Sequence, residues 1–117
     1  MRAFKIQNDS KGNSYFEEGF LPEYVIIKSN CFIIQTKIEE YQKHQHTAPR
    51  EQYVITLKGK LKFTTSDGKQ FIIEPGIILI AKDILGAGHS WELMEGDDWQ
   101  RIYIIPEQNT EDQFTAL

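Results

Sequence analysis

Short apolar and β-branched runs, separated by glycine, proline and aspartate at close and regular intervals, dominate this chain, and that punctuation predicts an all-β sandwich or barrel. The runs read as strands are Ala3–Ile6, Ser14–Phe20, Tyr24–Ile27, Cys31–Glu39, Gln52–Leu57, Lys60–Thr65, Lys69–Ile73, Ile77–Ala81, Ser90–Met94 and Gln100–Ile105. Lys58-Gly59, Asp67-Gly68 and Pro75-Gly76 are tight-turn dipeptides, in which glycine supplies positive φ or proline presets it. Asp67-Gly68, between Leu61-Lys62-Phe63-Thr64 and Phe71-Ile72-Ile73, is the clearest hairpin signal. No window sustains a helical period. The polar stretch Glu107–Leu117 reads as a short helix or a frayed terminus.

Composition narrows the picture without changing it. A chain of 117 residues is one domain, long enough to enclose one core. A net charge of −4 and a pI near 5.3 argue against nucleic acid, whose expected footprint is a basic patch. The longest purely apolar run, Ile77–Ala81, is far short of a membrane span, and the first residues lack the apolar core of a signal peptide. One cysteine, Cys31, excludes an internal disulfide framework and fits a reducing compartment, so a cytoplasmic protein is expected. Cys31 itself, within Cys31-Phe32-Ile33-Ile34, reads as a core residue.

The histidines carry the only suggestion of chemistry. His44 and His46 form a His-x-His pair, whose members share a face on an extended strand. His89 follows the turn Gly86-Ala87-Gly88, which can return the chain beside them. Gln52 or its neighbour Glu51 can add an oxygen donor. Imidazole with an oxygen donor suits Zn, Mn, Fe, Ni or Cu alike. Each residue also has a plainer reading: His44 lies in a polar loop, and His46 and His89 can be hydrogen-bonded histidines beside an empty pocket. Arg50 can anchor a substrate carboxylate or pair with Glu51 on the surface. Asp83 can cap the turn before Gly86 or act as a pocket acid. Trp91 is placed to wall a ligand pocket, and Trp99 reads as packing.

Two stretches resemble the motifs of the cupin family. The first is His44-Gln45-His46 followed by Thr47-Ala48-Pro49-Arg50-Glu51-Gln52 and a strand ending at Gly59. The second opens at Pro75-Gly76, runs through Ile77–Ala81 and ends at His89. The resemblance covers Ile38 to about Ile105, and the Ala-Pro-Arg-x-Gln and Asp-x-x-Gly-x-Gly-His stretches look like a group of small single-domain cupins without a settled common activity. It implies a double-stranded β-helix, or jelly-roll barrel, of two packed antiparallel sheets. N-terminal strands would occupy residues 1–37, the core barrel 38–105 and a tail 106–117. It also implies a divalent metal on the barrel axis and a homodimer. The departures are specific: Ile38 stands where the family has a glycine, the link from Gly76 to His89 is two residues longer, and no Asn follows His89. Counting back from Gly59 puts the family's Glu position on Gln52; counting forward from His46 puts it on Glu51. Hairpin register favours Gln52, so the implied metal set is His44, His46, Gln52 and His89.

Two function classes follow. One is a metal-dependent enzyme acting on a small organic molecule by isomerase, cyclase or oxygenase chemistry. The neutral Gln52 favours anionic substrates, with Arg50, Asp83 and Trp91 as ligand contacts. The other is a small-ligand binding or sensing module, since one fold hosts many functions.

Overall fold

The computed structural model describes residues 1–117 and is all-β, with one short 3-10 turn over Glu40–Lys43 and no α-helix. Its strands are β1 (Arg2–Asn8), β2 (Ser14–Phe20), β3 (Ser29–Gln35), β4 (Gln52–Thr65), β5 (Gln70–Ile73), β6 (Ile78–Ala81), β7 (His89–Pro106) and β8 (Thr115–Ala116). They join in one hydrogen-bonded sheet of order β3-β7-β4-β6-β1-β2-β8, with β5 paired to β4. The sheet curls into a half-barrel. No helix is long and apolar enough to cross a membrane.

Two long strands do the curling. β4 pairs with β6 through Gln52–Ile55 and with β5 through Leu61–Thr64, while β7 runs beside it from Ile104 back to His89. Between these halves the register slips at Thr56, Lys58 and Lys60. The breaks expected at Lys58-Gly59 and at Glu95-Gly96-Asp97-Asp98 are therefore bulges within continuous strands. Gly59 adopts φ +121° there, and an added Cβ would press to 3.2 Å from the Asp98 carbonyl oxygen. A bulge also changes side-chain parity. Gln52, Val54 and Thr56 are buried before it, and Leu61, Phe63 and Thr65 after it, so even positions give way to odd ones.

The concave face carries the main core, including Phe4, Ile6, Val54, Leu61, Phe63, Phe71, Ile73 and Trp91. Phe71 stacks on both Phe4 and Phe63, with ring centroids 4.6 and 5.3 Å apart. A smaller cluster of Ala3, Leu21, Tyr53 and Ile80 lies on the other face, where Ile27, Ile104 and Phe114 cover it.

Three expectations are corrected outside the barrel. Tyr24–Ile27 is not a strand, because Tyr24 takes a left-handed φ of 62° and Val25–Ile27 join no strand ladder. Cys31 is exposed rather than core, because β3 is an edge strand that pairs only with β7. The C-terminal stretch neither coils nor frays. It crosses the outer face, buries Phe114 against the smaller cluster and adds β8 to β2. Gly19 makes this possible, since any Cβ there would overlap the Thr115 carbonyl.

Asp112 fastens that segment through ion pairs with Lys5 at 2.7 Å and Lys82 at 2.9 Å. Burial pushes its carboxyl up, but hydrogen bonds from Lys5, Lys82 and the Phe114 N–H outweigh burial and bring it down to about 2, from 3.8. A depressed acid adds stability above its unfolded pKa and loses that contribution as pH falls through its folded one. Asp112→Asn should therefore lower stability by about 1–2 kcal/mol at pH 6. The gap to the native chain should close as the pH falls from 3.8 towards 2. Urea denaturation of both chains across that range checks it.

Candidate functional site

A cavity of about 140 Å³ opens from the concave face, between β4, β6, β7 and the segment over residues 41–50. That segment is irregular, so its position depends on fixed contacts at both ends. At the His46 end, His46 and His89 exchange backbone hydrogen bonds, N–H to carbonyl in both directions at 2.8 Å, as an isolated antiparallel bridge. Gly88 permits this approach: its φ is +79°, and a Cβ would overlap the His46 carbonyl and the Thr47 nitrogen. At the other end the fully buried Arg101 on β7 donates to the carbonyls of Thr36 and Lys37 and to Gln42 Oε1.

The two imidazoles lie with centroids 4.8 Å apart, and both line the cavity. Each ring has its Nδ1 engaged. His89 Nδ1 is 2.6 Å from Asp83 Oδ2, and His46 Nδ1 is 2.7 Å from the His44 carbonyl oxygen. A carbonyl can only accept, so His46 carries its proton on Nδ1, and a carboxylate fixes the same tautomer in His89. Both Nε2 atoms are left as lone-pair donors. Burial lowers the pKa of His46, helped by the neighbouring His89, while the His44 carbonyl and Asp83 oppose the shift. The lowered pKa favours the uncharged ring, the form that binds a metal.

Gln52 lines the same cavity. It starts β4 opposite Ala81 and is 6% exposed. Its Oε1 is buried without any hydrogen-bond partner. An orphaned carbonyl oxygen costs on the order of 1–3 kcal/mol, and most native proteins avoid it. Glu51, one step along, is exposed and lies on the outer side with Pro106 and Gln108.

The other expected residues divide. Arg50 and Trp91 line the cavity, and Arg50 forms no ion pair with Glu51 or any other carboxylate. His44 does not join His46. It is the C-cap of the 3-10 turn, its side chain is 75% exposed, and its Nε2 points to Glu40 at 3.8 Å. The shared-face rule holds for extended strands, and residues 44–45 are a bend. Asp83 is not a cavity contact either. It is fully buried behind His89, where it also accepts from Ser14 Oγ at 2.8 Å.

No three His, Cys, Asp or Glu side chains converge anywhere in the chain; the cavity offers the two imidazoles and, of the three glutamines that line it, Gln52 has the unpartnered oxygen. Tyr103, Trp99 and Gln42 also line the cavity. The alternation Trp99-x-Arg101-x-Tyr103, which puts these three residues on one face of β7, is the signal that marks Trp99 and Tyr103; nothing in the sequence marks Gln42. Compared with family models and with curated proteins, the chain matches none.

Proposed function

We propose that this chain is a small cupin, a double-stranded β-helix of two antiparallel sheets, that holds a divalent transition metal and acts on a small organic molecule in its cavity. The observation that carries the metal is the Gln52 oxygen, buried and unpartnered in the cavity that two Nδ1-pinned imidazoles share. The three donors fit the group: His46 Nε2 and His89 Nε2 would hold the ion, with Gln52 Oε1 as a neutral third ligand. Zn, Mn, Fe, Ni and Cu all accept such a set. A bound ion would supply Lewis acidity, or redox chemistry where the metal allows it.

The chain's own residues do the rest. Asp83 orients the His89 ring and fixes its tautomer, as a carboxylate behind a metal-binding imidazole does. Trp91, Trp99 and Phe63 give the cavity apolar walls that exclude water. Arg50, with five N–H donors and no ion pair, stands at the wall to receive an acidic group. One observation favours a ligand-binding module as the alternative to an enzyme: no carboxylate lines the cavity to serve as a general base.

Gln52→Ala should weaken metal affinity by roughly ten- to a hundred-fold, and Gln52→Glu should tighten it by adding an anionic donor. Glu51→Ala should change little, because its side chain points to the opposite face. Competition titration with a chromophoric chelator reads all three. Metal lost from Glu51→Ala and kept by Gln52→Ala would reverse the assignment.

We also propose a homodimer. Phe32 and Ile34 on β3 are 64% and 71% exposed, and Ile26 nearby is 84% exposed. The free edge of β3 adds a row of unpaired backbone groups, which natural sheets normally cover. A second copy supplies the same strand and the same apolar residues about a two-fold axis. Light scattering at micromolar concentration should give about twice 13.6 kDa. Phe32→Glu should return the monomer; a native chain that runs as a monomer would contradict the proposal.

A further inference from the structure

We infer that the cavity selects a small carboxylate, and that Tyr103, set by Arg101, is the hydrogen-bond donor that receives it. This rests on the cavity being the ligand site, as proposed above. It adds a residue and a ligand charge to that reading.

Arg101 is 0% exposed and has no carboxylate partner. Its five N–H groups are all taken by neutral oxygens. Nε donates to Tyr103 Oη at 2.8 Å, Nη1 to the carbonyls of Trp99 and Thr36, and Nη2 to the Lys37 carbonyl and Gln42 Oε1. The guanidinium also lies 4.4 Å from the Trp99 ring centroid and 5.5 Å from that of Tyr103. Its hydrogen bonding is satisfied, and its charge is not neutralised. A buried ion without a counter-ion is costly, and an anion brought close recovers part of that cost. Arg101 does not itself line the cavity; Tyr103, Trp99 and Gln42 stand between.

Tyr103 transmits the charge. A phenol has one donor and two acceptor lone pairs. Arg101 takes a lone pair, so the hydroxyl hydrogen is the group left to donate, and no protein acceptor takes it. Tyr103 is 7% exposed and lines the cavity. Among the lining residues Arg50 is the one with a formal charge, and it is positive. Asp83, the acid behind His89, is engaged with His89 and Ser14 and does not line the cavity. One phenolic donor, one mouth arginine and one buried cation behind them, with no carboxylate in the wall, are complementary to a small anion and not to its neutral isostere. Size sets the scale: a cavity of about 150 Å³ holds benzene, so about six heavy atoms fit.

Isobutyrate and isobutyramide match in shape and differ in charge. Each is titrated into the full chain, as purified and after chelator stripping, with the indole N–H signals of Trp91 and Trp99 followed by NMR. Isobutyrate should bind about tenfold tighter than the amide in both preparations, the scale of one charge-assisted hydrogen bond. Tyr103→Phe should remove most of that preference by weakening isobutyrate alone. Equal affinity for the two compounds, or an unchanged preference in Tyr103→Phe, would overturn the inference. A preference that vanishes on stripping would assign the anion to the metal, which overturns the inference and keeps the metal reading. A preference that persists in a chain that binds no metal keeps the inference and removes the metal. If Tyr103→Phe loses its dispersed indole signals, the native Tyr103 ring signals decide: they should move with isobutyrate and stay with isobutyramide, and the reverse overturns the proposal.

Discussion

Gly88→Ala should destabilise the chain by roughly 3–5 kcal/mol and separate His46 from His89, although it adds a single methyl group. Three costs add. The backbone sits at φ +79°, where an L-residue is strained by roughly 1–2 kcal/mol. The new Cβ would overlap the His46 carbonyl and the Thr47 nitrogen, which are backbone atoms and cannot rotate aside. Relieving the overlap breaks the paired N–H to carbonyl bonds between His46 and His89, each worth about 1 kcal/mol. Gly68→Ala is the matched control. Gly68 has a similar φ of +88° at a hairpin tip, and an added Cβ there meets nothing within 4 Å. It should cost the backbone strain alone, about 1–2 kcal/mol. Urea unfolding of the two variants compares them directly. A Gly88→Ala chain no less stable than Gly68→Ala would mean that the bridge is not what holds the two histidines together.

The local rules that made the fold legible are those of strand alternation and turn chemistry. Ser14–Phe20 and the Asp67-Gly68 hairpin could be read because alternation and glycine act within a few residues. The bulges at Gly59 and Glu95–Asp98 could not, because a glycine at positive φ serves a reversal and a bulge equally, and only the partner strand decides between them. Tyr24–Ile27 has the composition of a strand and no partner strand. The course of residues 107–117 depends on Lys5, Lys82 and Gly19, all distant in sequence, and no local pattern announces such a docking.

The same division runs through the site. Gln52 and Glu51 differ by one strand position, and alternation separates them once β4 is fixed against β6. His44 misleads because the His-x-His rule presumes a strand, whereas the 3-10 turn over Glu40–Lys43 ends at His44 and leaves residues 44–45 in a bend. Arg101 passes unnoticed in a sequence because a charged residue in a strand reads as solvent-facing. Its burial becomes intelligible once the carbonyls of Thr36, Lys37 and Trp99 are seen to surround it.

The largest functional effect is expected from removing both imidazoles. His46→Ala combined with His89→Ala takes away two of three donors, and a lone neutral amide does not hold a first-row ion against water. The fold should survive, because a core cluster of 12 buried side chains holds it and Asp83 keeps Ser14 as a partner. Elemental analysis of the two proteins, each purified without a histidine tag and checked by circular dichroism, is the most direct test. The native chain should carry about one equivalent of a first-row transition metal, and the folded double variant should carry none. Stoichiometric metal in the double variant, or none in the native chain after reconstitution with Zn, Mn, Fe, Ni and Cu, would contradict the metal centre.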